Sequence, residues 1–160
     1  MLVNNRLMAE LVLRKMSSQH TIVIDVETSG LDWRYNHVVG YVITLGPGPD
    51  DTYYIPVRHA GGGNLPDDIQ VPGRADEWNG STHWFERAMI TAMSGKKIAG
   101  HNIAFDLSFL HRIGYRPTAE VRDTMVHAYL LDELRKSLSL AACCADYKVA
   151  EKKGDALYAL

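Results

Sequence analysis

The sequence predicts an α/β fold in which a mixed central sheet is flanked by helices. Three β-rich runs follow one another in the first half of the chain, and short β and helical patterns alternate in the second half. The size agrees with this, because 160 residues, 46% of them hydrophobic and 22% charged, suffice to bury one sizeable core. We therefore expect a folded globular domain.

The three β-rich runs are predicted to form an antiparallel meander. They cover residues 21–26, 37–45 and 51–57. The segment Gly-Pro-Gly-Pro-Asp between the second and third runs is a compact turn signal. Residues 58–80, which follow, are rich in glycine and have no apolar period, so we expect a long loop there.

The first 20 residues predict a helical extension that precedes the domain at residues 21–160. Their apolar side chains have helical spacing at Leu7, Met8, Leu11 and Val12, but charged residues interrupt every apolar run. This pattern is unlike a signal peptide, and no run approaches the roughly 18 apolar residues of a membrane span. We expect no membrane partner.

Charge and cysteine content exclude little but favour a reducing compartment. The net charge of −2 argues neither for nor against a nucleic-acid partner. Cys143 and Cys144 are adjacent, which suits neither an ordinary disulfide nor a zinc site. We expect reduced packing cysteines in a cytoplasmic protein.

Four helical patterns and one strand are predicted after the loop. A helix capped by Ser81 or Thr82 and ending at Gly95 has a core-facing stripe. That stripe consists of Trp84, Phe85, Ala88, Met89, Ala92 and Met93. A strand at 97–100, a helix at 102–112, a helix capped by Asp123 and a helical segment at 140–147 complete the order. The apolar face of the helix after Asp123 consists of Met125, Val126, Tyr129, Leu130 and Leu134.

The first chemically informative segment, VIDVETSGLD, ends the first β run with two carboxylates. Asp25 and Glu27 are two residues apart, so in a strand they share a face, roughly 6 to 7 Å apart. Each raises the pKa of the other unless a cation lies between them. A divalent metal ion bound between the two carboxylates would remove this repulsion. The alternative is that both carboxylates lie at a solvated strand end and face water.

The second segment, IAGHNIAFDLSFL, places a carboxylate inside an apolar helix. Asn102 and Asp106 are four residues apart and therefore share a helix face. An unpaired buried carboxylate costs several kcal/mol, so Asp106 needs a cation or hydrogen-bond donors. Taken alone, such an aspartate is more often paired with a nearby arginine than with a metal ion.

These segments give the sequence a resemblance to the DEDD superfamily of 3′→5′ exonucleases, closest to the proofreading domain of family A DNA polymerases and their phage relatives. The resemblance covers residues 21–147 and rests on DVETSGLD, GHNIAFDLSFL and RDTMVHAYLLDELRKSLSLAACCADY. It implies a ribonuclease-H-like fold that holds two divalent ions. Mg²⁺, with Mn²⁺ as a substitute, prefers the hard oxygen ligands that carboxylates supply.

The resemblance also implies the roles of single residues. Asp25, Glu27 and Asp106 match the catalytic metal ligands. Asn102 matches a neighbour that holds the terminal nucleotide. For two further positions a purely structural role is the alternative. Thr28 matches a residue near the terminal sugar but is also a turn residue. Leu31 matches a residue that packs on the terminal bases but could equally cap the core.

Two basic residues are predicted to contact the substrate backbone. The loop that begins with YIPVRHAGGGN resembles a loop beside the cleft of phage relatives. Because basic side chains supply many phosphate contacts, Arg58 and His59 are expected to approach the strand. An ordinary surface loop is the alternative.

The resemblance further implies a fourth carboxylate, which would fall beyond Leu160. We reject three substitutes within the chain. His127 and Asp132 are five residues apart and so point about 140° away from a shared helix face; Tyr147 with Glu151 has the wrong acid; and Asp155 lies in a segment like the linker before the missing motif. We therefore expect these 160 residues to be part of a longer polypeptide, and to bind divalent metal weakly and hydrolyse DNA poorly on their own.

The function implied by this resemblance is metal-dependent hydrolysis at DNA 3′ ends. The expected partners are a single-stranded DNA 3′ end and an attached or separate DNA polymerase that the domain proofreads, in a bacterial or phage-infected cell. Two alternatives stay open. One is a free-standing 3′→5′ ribonuclease, because the motifs do not separate DNA from RNA. The other is a catalytically incomplete interaction domain.

Overall fold

A computed structural model describes residues 1–67 and 82–149, which form a mixed sheet with helices around it. The strands are β1 Thr21–Thr28, β2 Val38–Thr44, β3 Thr52–Pro56, β4 Lys97–Gly100 and β5 Val121–Asp123. The α-helices of this part are α1 Arg6–Ser18, α2 Trp84–Met93, α3 Ile103–Arg112, α4 Thr124–Leu131 and α5 Leu140–Asp146. A short 3₁₀ turn, Pro49–Asp51, precedes β3.

The strand order is β3-β2-β1-β4-β5. Strands β1, β2 and β3 pair antiparallel, whereas β4 and β5 run parallel to β1. The predicted meander and the predicted mixed sheet are therefore confirmed. Parallel pairing needs a crossover connection, and α3 lies in the connection between β4 and β5.

One face of the sheet carries the core. In β1, Ile22, Ile24 and Val26 are buried and alternate with exposed residues. Neighbouring strands add Tyr41, Ile43, Tyr53 and Ile55 to the same core, which also contains residues of α1 and α2. The other face of β1 is left to Asp25 and Glu27, because successive side chains of a strand point to opposite faces.

Helix α1 lies in the segment predicted as a helical extension and packs into the common core. Its buried residues are Ala9, Val12 and Met16, whereas Leu7 is 65% exposed. The residues before α1 extend the sheet edge, because the Val3 amide donates to the Tyr54 carbonyl over 2.8 Å. Segment 1–20 thus packs as part of the domain.

Helix α2 has the predicted buried stripe but a different cap. The N-cap is His83, whose Nδ1 accepts the Phe85 amide hydrogen over 3.1 Å. Glu86 Oε2 in turn accepts the His83 amide hydrogen over 2.7 Å. The prediction of Thr82 was wrong, because a buried histidine supplied the acceptor. Ser81 and residues 68–80 of the predicted loop lie outside the described residues.

The predicted apolar face of α4 does not face the core. Ala128 is the buried residue of this helix, whereas Val126 is 48%, Tyr129 49% and Leu130 74% exposed. Helical spacing shows that apolar residues share a face but does not show what covers it. In α5, Cys143 is buried, and both cysteines are free. No helix among the described residues is long and apolar enough to cross a membrane.

Candidate active site

Two carboxylates lie side by side on the open face of β1, as the alternation of strand residues predicts. Asp25 lies opposite Val42 of β2, and Glu27 lies opposite Gly40. The register shifts immediately after Glu27, where Thr28 pairs with Val38. Such a bulge bends a strand and re-aims its side chains, which is frequent beside active sites.

The third carboxylate reaches β1 because β1 is longer than β4. The β1–β4 pairing runs from Thr21 to Val23, so the remainder of that β1 edge has no strand partner in β4. There the Val26 amide donates to Asp106 Oδ1 over 2.8 Å. The Asp106 carboxylate, only 2% exposed, is thus bound to the residue between Asp25 and Glu27.

Asp106 is a weak acid in this position. Burial raises its pKa to about 7, against the opposing effect of the Val26 hydrogen bond, and the negative charges of Asp25 and Asp123 contribute to the rise. Its partner in the described structure is a backbone amide and not the arginine that the sequence left open. A cation near Asp25 and Asp106 would reverse this shift in pKa.

Asp123 fixes the position from which α3 begins. Its Oδ1 accepts the amide hydrogens of Asn102 at 3.0 Å and Met125 at 2.9 Å, and its Oδ2 accepts that of Ile103 at 3.1 Å. One side chain therefore caps both α3 and α4. The sequence indicated the α4 cap but gave no signal for the α3 contact, which depends on the pairing of β4 with β5.

Asn102 precedes α3 in a left-handed conformation with φ of 59°. Its side chain is exposed and makes no capping hydrogen bond. The start of α3 is thus held by Asp123, and the side-chain amide of Asn102 lies on the surface one helical turn before Asp106. This placement leaves the predicted contact to a nucleotide available to it.

The turn after β1 presents an apolar side chain to solvent. Thr28 Oγ1 donates to the Gly30 carbonyl over 2.8 Å, as a turn residue would, and Leu31 is 85% exposed. This exposure excludes the alternative in which Leu31 caps the core. Arg112 of α3 anchors the turn by donating to the carbonyls of Trp33 at 2.7 Å and Asn36 at 2.6 Å.

Arg58 lies in a different place from the one expected. Its guanidinium donates to both carboxylate oxygens of Glu86, at 2.7 and 2.6 Å, and its side chain is only 12% exposed. Glu86 is fully buried and also accepts the Tyr41 hydroxyl. Arg58 is therefore engaged in an internal ion pair, whereas a phosphate contact requires a solvent-facing guanidinium.

His59 is half-buried and bonded to the Tyr54 hydroxyl through Nε2. His59 lies beside β3 at the edge of the open sheet face, whereas the Arg58 guanidinium is turned to the buried Glu86. Of the two basic residues that the sequence singled out, His59 is the one that contacts a side chain of β3, that of Tyr54.

The oxygen donors suit a hard divalent cation such as Mg²⁺ or Mn²⁺. Within residues 1–67 and 82–149, no three histidine, cysteine, aspartate or glutamate side chains are close enough together to form a metal-binding group. The Asp106 carboxylate, whose pKa is raised by burial and further by the charges of Asp25 and Asp123, nevertheless fits a site that is completed by a cation. The rejected substitutes Glu151 and Asp155 lie outside the described residues.

Comparison with known proteins points to one family. Residues 2–155 match the family model described as 3′-5′ exonuclease. DNA polymerase DpoZ of Salmonella phage PMBT28 is 27% identical over 147 residues, which are 90% of this chain and 20% of that polymerase. The chain thus spans about a fifth of the length of this curated relative.

Solved structures share the fold at low sequence identity. Escherichia coli RNase D, an exoribonuclease involved in structured RNA processing, aligns with a TM-score of 0.64 and 15% identity, over 98% of this chain and 35% of RNase D. Brucella melitensis NrnC with bound Mg²⁺ aligns with a TM-score of 0.60 and 17% identity, over 87% of this chain and 59% of NrnC. The α/β fold is ribonuclease-H-like.

Proposed function

The chain belongs to the 3′-5′ exonuclease family, and from that premise we propose that it hydrolyses the terminal phosphodiester bond at DNA 3′ ends. The observation that supports this most is the contact between Asp106 and the Val26 amide, because it brings a buried carboxylate to the strand segment that carries Asp25 and Glu27. On binding a cation, these three acids of β1 and α3 would converge on it at this part of β1.

Asp25, Glu27 and Asp106 would hold two Mg²⁺ ions, for which Mn²⁺ could substitute. When bound, such ions activate a water molecule and stabilise the leaving 3′ oxygen. The chain itself supplies position: the Val26 amide holds Asp106, and Asp123 holds the start of α3. Binding of a cation would also favour the ionised form of Asp106, whose pKa of about 7 otherwise leaves it partly protonated at neutral pH.

Three other residues would orient the 3′ terminal nucleotide. The exposed Leu31 side chain would pack on the terminal bases, and Thr28 would lie near the sugar. The side-chain amide of Asn102, which makes no capping hydrogen bond, would contact the nucleotide from the start of α3. His59 would approach the strand from β3. Arg58 keeps its ion pair with Glu86 and supports the site from within.

The cellular role that we propose is proofreading for an attached or separate DNA polymerase, in the cytoplasm of a bacterial or phage-infected cell. The match to a phage DNA polymerase supports this role. RNA is the alternative substrate, since RNase D, which has the same fold, is an exoribonuclease.

The test compares single-stranded DNA and RNA of one sequence, each labelled at the 5′ end, in Mg²⁺, Mn²⁺ or EDTA. We expect slow, metal-dependent shortening from the 3′ end, faster on DNA, and a further loss of about 10²-fold or more in Asp25→Asn, Glu27→Gln and Asp106→Asn. Asp50→Asn, which changes an exposed aspartate on the 3₁₀ turn, is the matched control. Equal activity in wild type and Asp25→Asn would overturn the assignment of the site, and faster RNA cleavage would overturn the DNA preference.

A further inference from the structure

A tyrosine that the sequence did not single out lies on the same sheet face as the carboxylates. Asp25 is opposite Val42, and Val42 is opposite Tyr54, so the three residues form one row across β1, β2 and β3. Residues directly opposite each other in antiparallel strands point to the same side of the sheet. Tyr54 is therefore directed to the open face and away from the core.

Gly40 allows the Tyr54 ring to lie across β2 towards Glu27. A Cβ atom at Gly40 would be 2.4 Å from Tyr54 Oη and 2.7 Å from two ring carbons, so no other residue would leave the ring in place. Gly40 is the residue directly opposite Glu27. Burial and the nearby Glu27 charge raise the pKa of Tyr54 to about 12, so the phenol keeps its proton at neutral pH.

Tyr54 and His59 form a fixed aromatic pair. The tyrosine hydroxyl is hydrogen-bonded to His59 Nε2, and the two rings meet at 73° with centroids 5.8 Å apart. Asn64 holds His59 in turn, because its Oδ1 accepts the His59 amide hydrogen over 2.6 Å and its Nδ2 donates to the His59 carbonyl over 2.9 Å. The pair is thus positioned before any ligand arrives.

A cavity of about 220 Å³ opens beside this pair. Its walls are the two aromatic side chains, the apolar side chains of Leu2 and Pro56, the polar Asn4, and a glycine turn at residues 61–63. The volume lies below the roughly 300–1,000 Å³ of pockets for drug-sized ligands, which suits a single planar ring system. Aromatic side chains on which bases stack are typical of sites that bind single-stranded nucleic acid.

We propose that this cavity is a nucleobase-binding pocket, in which one base of the substrate strand stacks on Tyr54 while the 3′ end of the strand lies at Asp25 and Glu27. The proposal rests on the proposed function, because it takes the strand to run along the open sheet face. It adds Tyr54, with Gly40 as the residue that makes room for its ring, to the substrate contacts.

The test measures the affinity of the protein for short DNA single strands in Ca²⁺, with a base removed at each of the last positions in turn. In wild type, loss of the base that occupies the pocket should weaken binding at least about 5-fold, as expected for one stacked base. In Tyr54→Leu, the same base loss should have almost no effect. Tyr54→Phe should keep the effect, since it retains the ring.

Gly40→Ala is a second variant, because it displaces the Tyr54 ring without removing it and should behave like Tyr54→Leu. Tyr129→Leu, at an exposed tyrosine on α4, is the matched control and should behave like wild type. Thermal unfolding of each variant monitors the fold.

The outcomes separate this proposal from the proposed function. Binding that loses the same affinity for every missing base in wild type and Tyr54→Leu would overturn the pocket and leave the exonuclease assignment intact. An equal loss of the base effect in Tyr54→Phe and Tyr54→Leu would overturn stacking as its cause. A wild-type protein that binds no DNA strand would overturn both proposals.

Discussion

Asp106 is only 2% exposed, and its carboxylate accepts a hydrogen bond from a strand amide at 2.8 Å. Burial of the charge costs free energy, and the Val26 amide offsets only part of that cost, which is why the pKa of Asp106 rises to about 7. In the absence of a cation, an ionised Asp106 therefore destabilises the native state.

We predict that stability falls with pH through Asp106. The native state binds this proton more tightly than the unfolded chain does, so the free energy of unfolding decreases as pH rises from about 3.8 to about 7. The shift corresponds to roughly 4 kcal/mol. Asp106→Asn should remove this loss and, in EDTA at pH 8, raise Tm by about 5 °C or more.

Two controls accompany this measurement. Asp50→Asn should follow wild type, and the Tm difference between wild type and Asp106→Asn should vanish near pH 4. Mg²⁺ at pH 8 should raise the Tm of wild type more than that of Asp106→Asn, because a ligand that binds only the native state stabilises it. Identical pH dependence in wild type and Asp106→Asn would contradict the prediction.

We predict that Leu31 contributes to substrate binding and not to the stability of the fold. Because its side chain is 85% exposed, Leu31→Ala should leave Tm within about 1 °C of wild type. Loss of the apolar contact to the terminal bases should raise KM for single-stranded DNA by roughly 5-fold. Steady-state exonuclease kinetics test this, with Leu7→Ala, 65% exposed on α1, as the control. A lower Tm without a change in KM would assign Leu31 a structural role.

At the scale of elements, Glu86 joins three parts of the molecule. It accepts the His83 amide at the start of α2, the Tyr41 hydroxyl of β2 and the Arg58 guanidinium that follows β3. Both members of the Arg58–Glu86 ion pair are nearly or fully buried. A buried charge left without its partner is far more costly than a surface pair.

Glu86→Gln should therefore destabilise the protein strongly. The neutral side chain leaves the Arg58 charge without its counterion, and we expect a loss of about 3–5 kcal/mol in the free energy of unfolding. Urea unfolding measures this. Glu120→Gln is the matched control, because Glu120 pairs with Lys97 and Arg122 at the surface, where ion pairs contribute little. Equal urea midpoints for Glu86→Gln and Glu120→Gln would contradict the predicted contribution of the Arg58–Glu86 ion pair to stability.

Local sequence patterns predicted the helices and strands and the two β1 carboxylates of the site. Contacts between residues distant in sequence determine the remaining features of the site. Alternation in β1 located Asp25 and Glu27 on one face, and the α2 stripe predicted its buried residues. The bond from Asp106 to Val26 spans 80 residues and depends on where β4 ends, which no local pattern encodes. The Arg58–Glu86 pair, 28 residues apart, is hidden for the same reason.

At the scale of the whole molecule, the core also includes the helix that carries Asp106, because α3 adds buried side chains such as Ile103 and Phe109 to it. Helices α1 and α2 share the core with the buried strand residues, whereas α4 and the segment after it present apolar side chains outwards. Of these, Leu131 is 75% and Leu134 87% exposed. A change on this outward surface should not affect the core.

Paired substitutions test this division. Leu134→Lys should shift Tm by less than about 2 °C, since surface substitutions alter stability little. Ala128→Lys places a charge at a position that is 3% exposed and should lower Tm by several times that amount. Thermal unfolding followed by circular dichroism compares them. A similar fall in Tm for both would show that the outer surface of α4 contributes to folding.

The difference in length between β1 and β4 has a spectroscopic consequence. Because the pairing with β4 ends before Val26, the Val26 N–H donates its hydrogen bond to the titrating carboxylate of Asp106 and not to a carbonyl of a neighbouring strand. A backbone proton in that position acts as a built-in reporter: its chemical shift should follow the ionisation of Asp106 around pH 7 and change again when a cation is added. One backbone resonance, from a residue with an apolar side chain, thus records the charge state of the buried carboxylate.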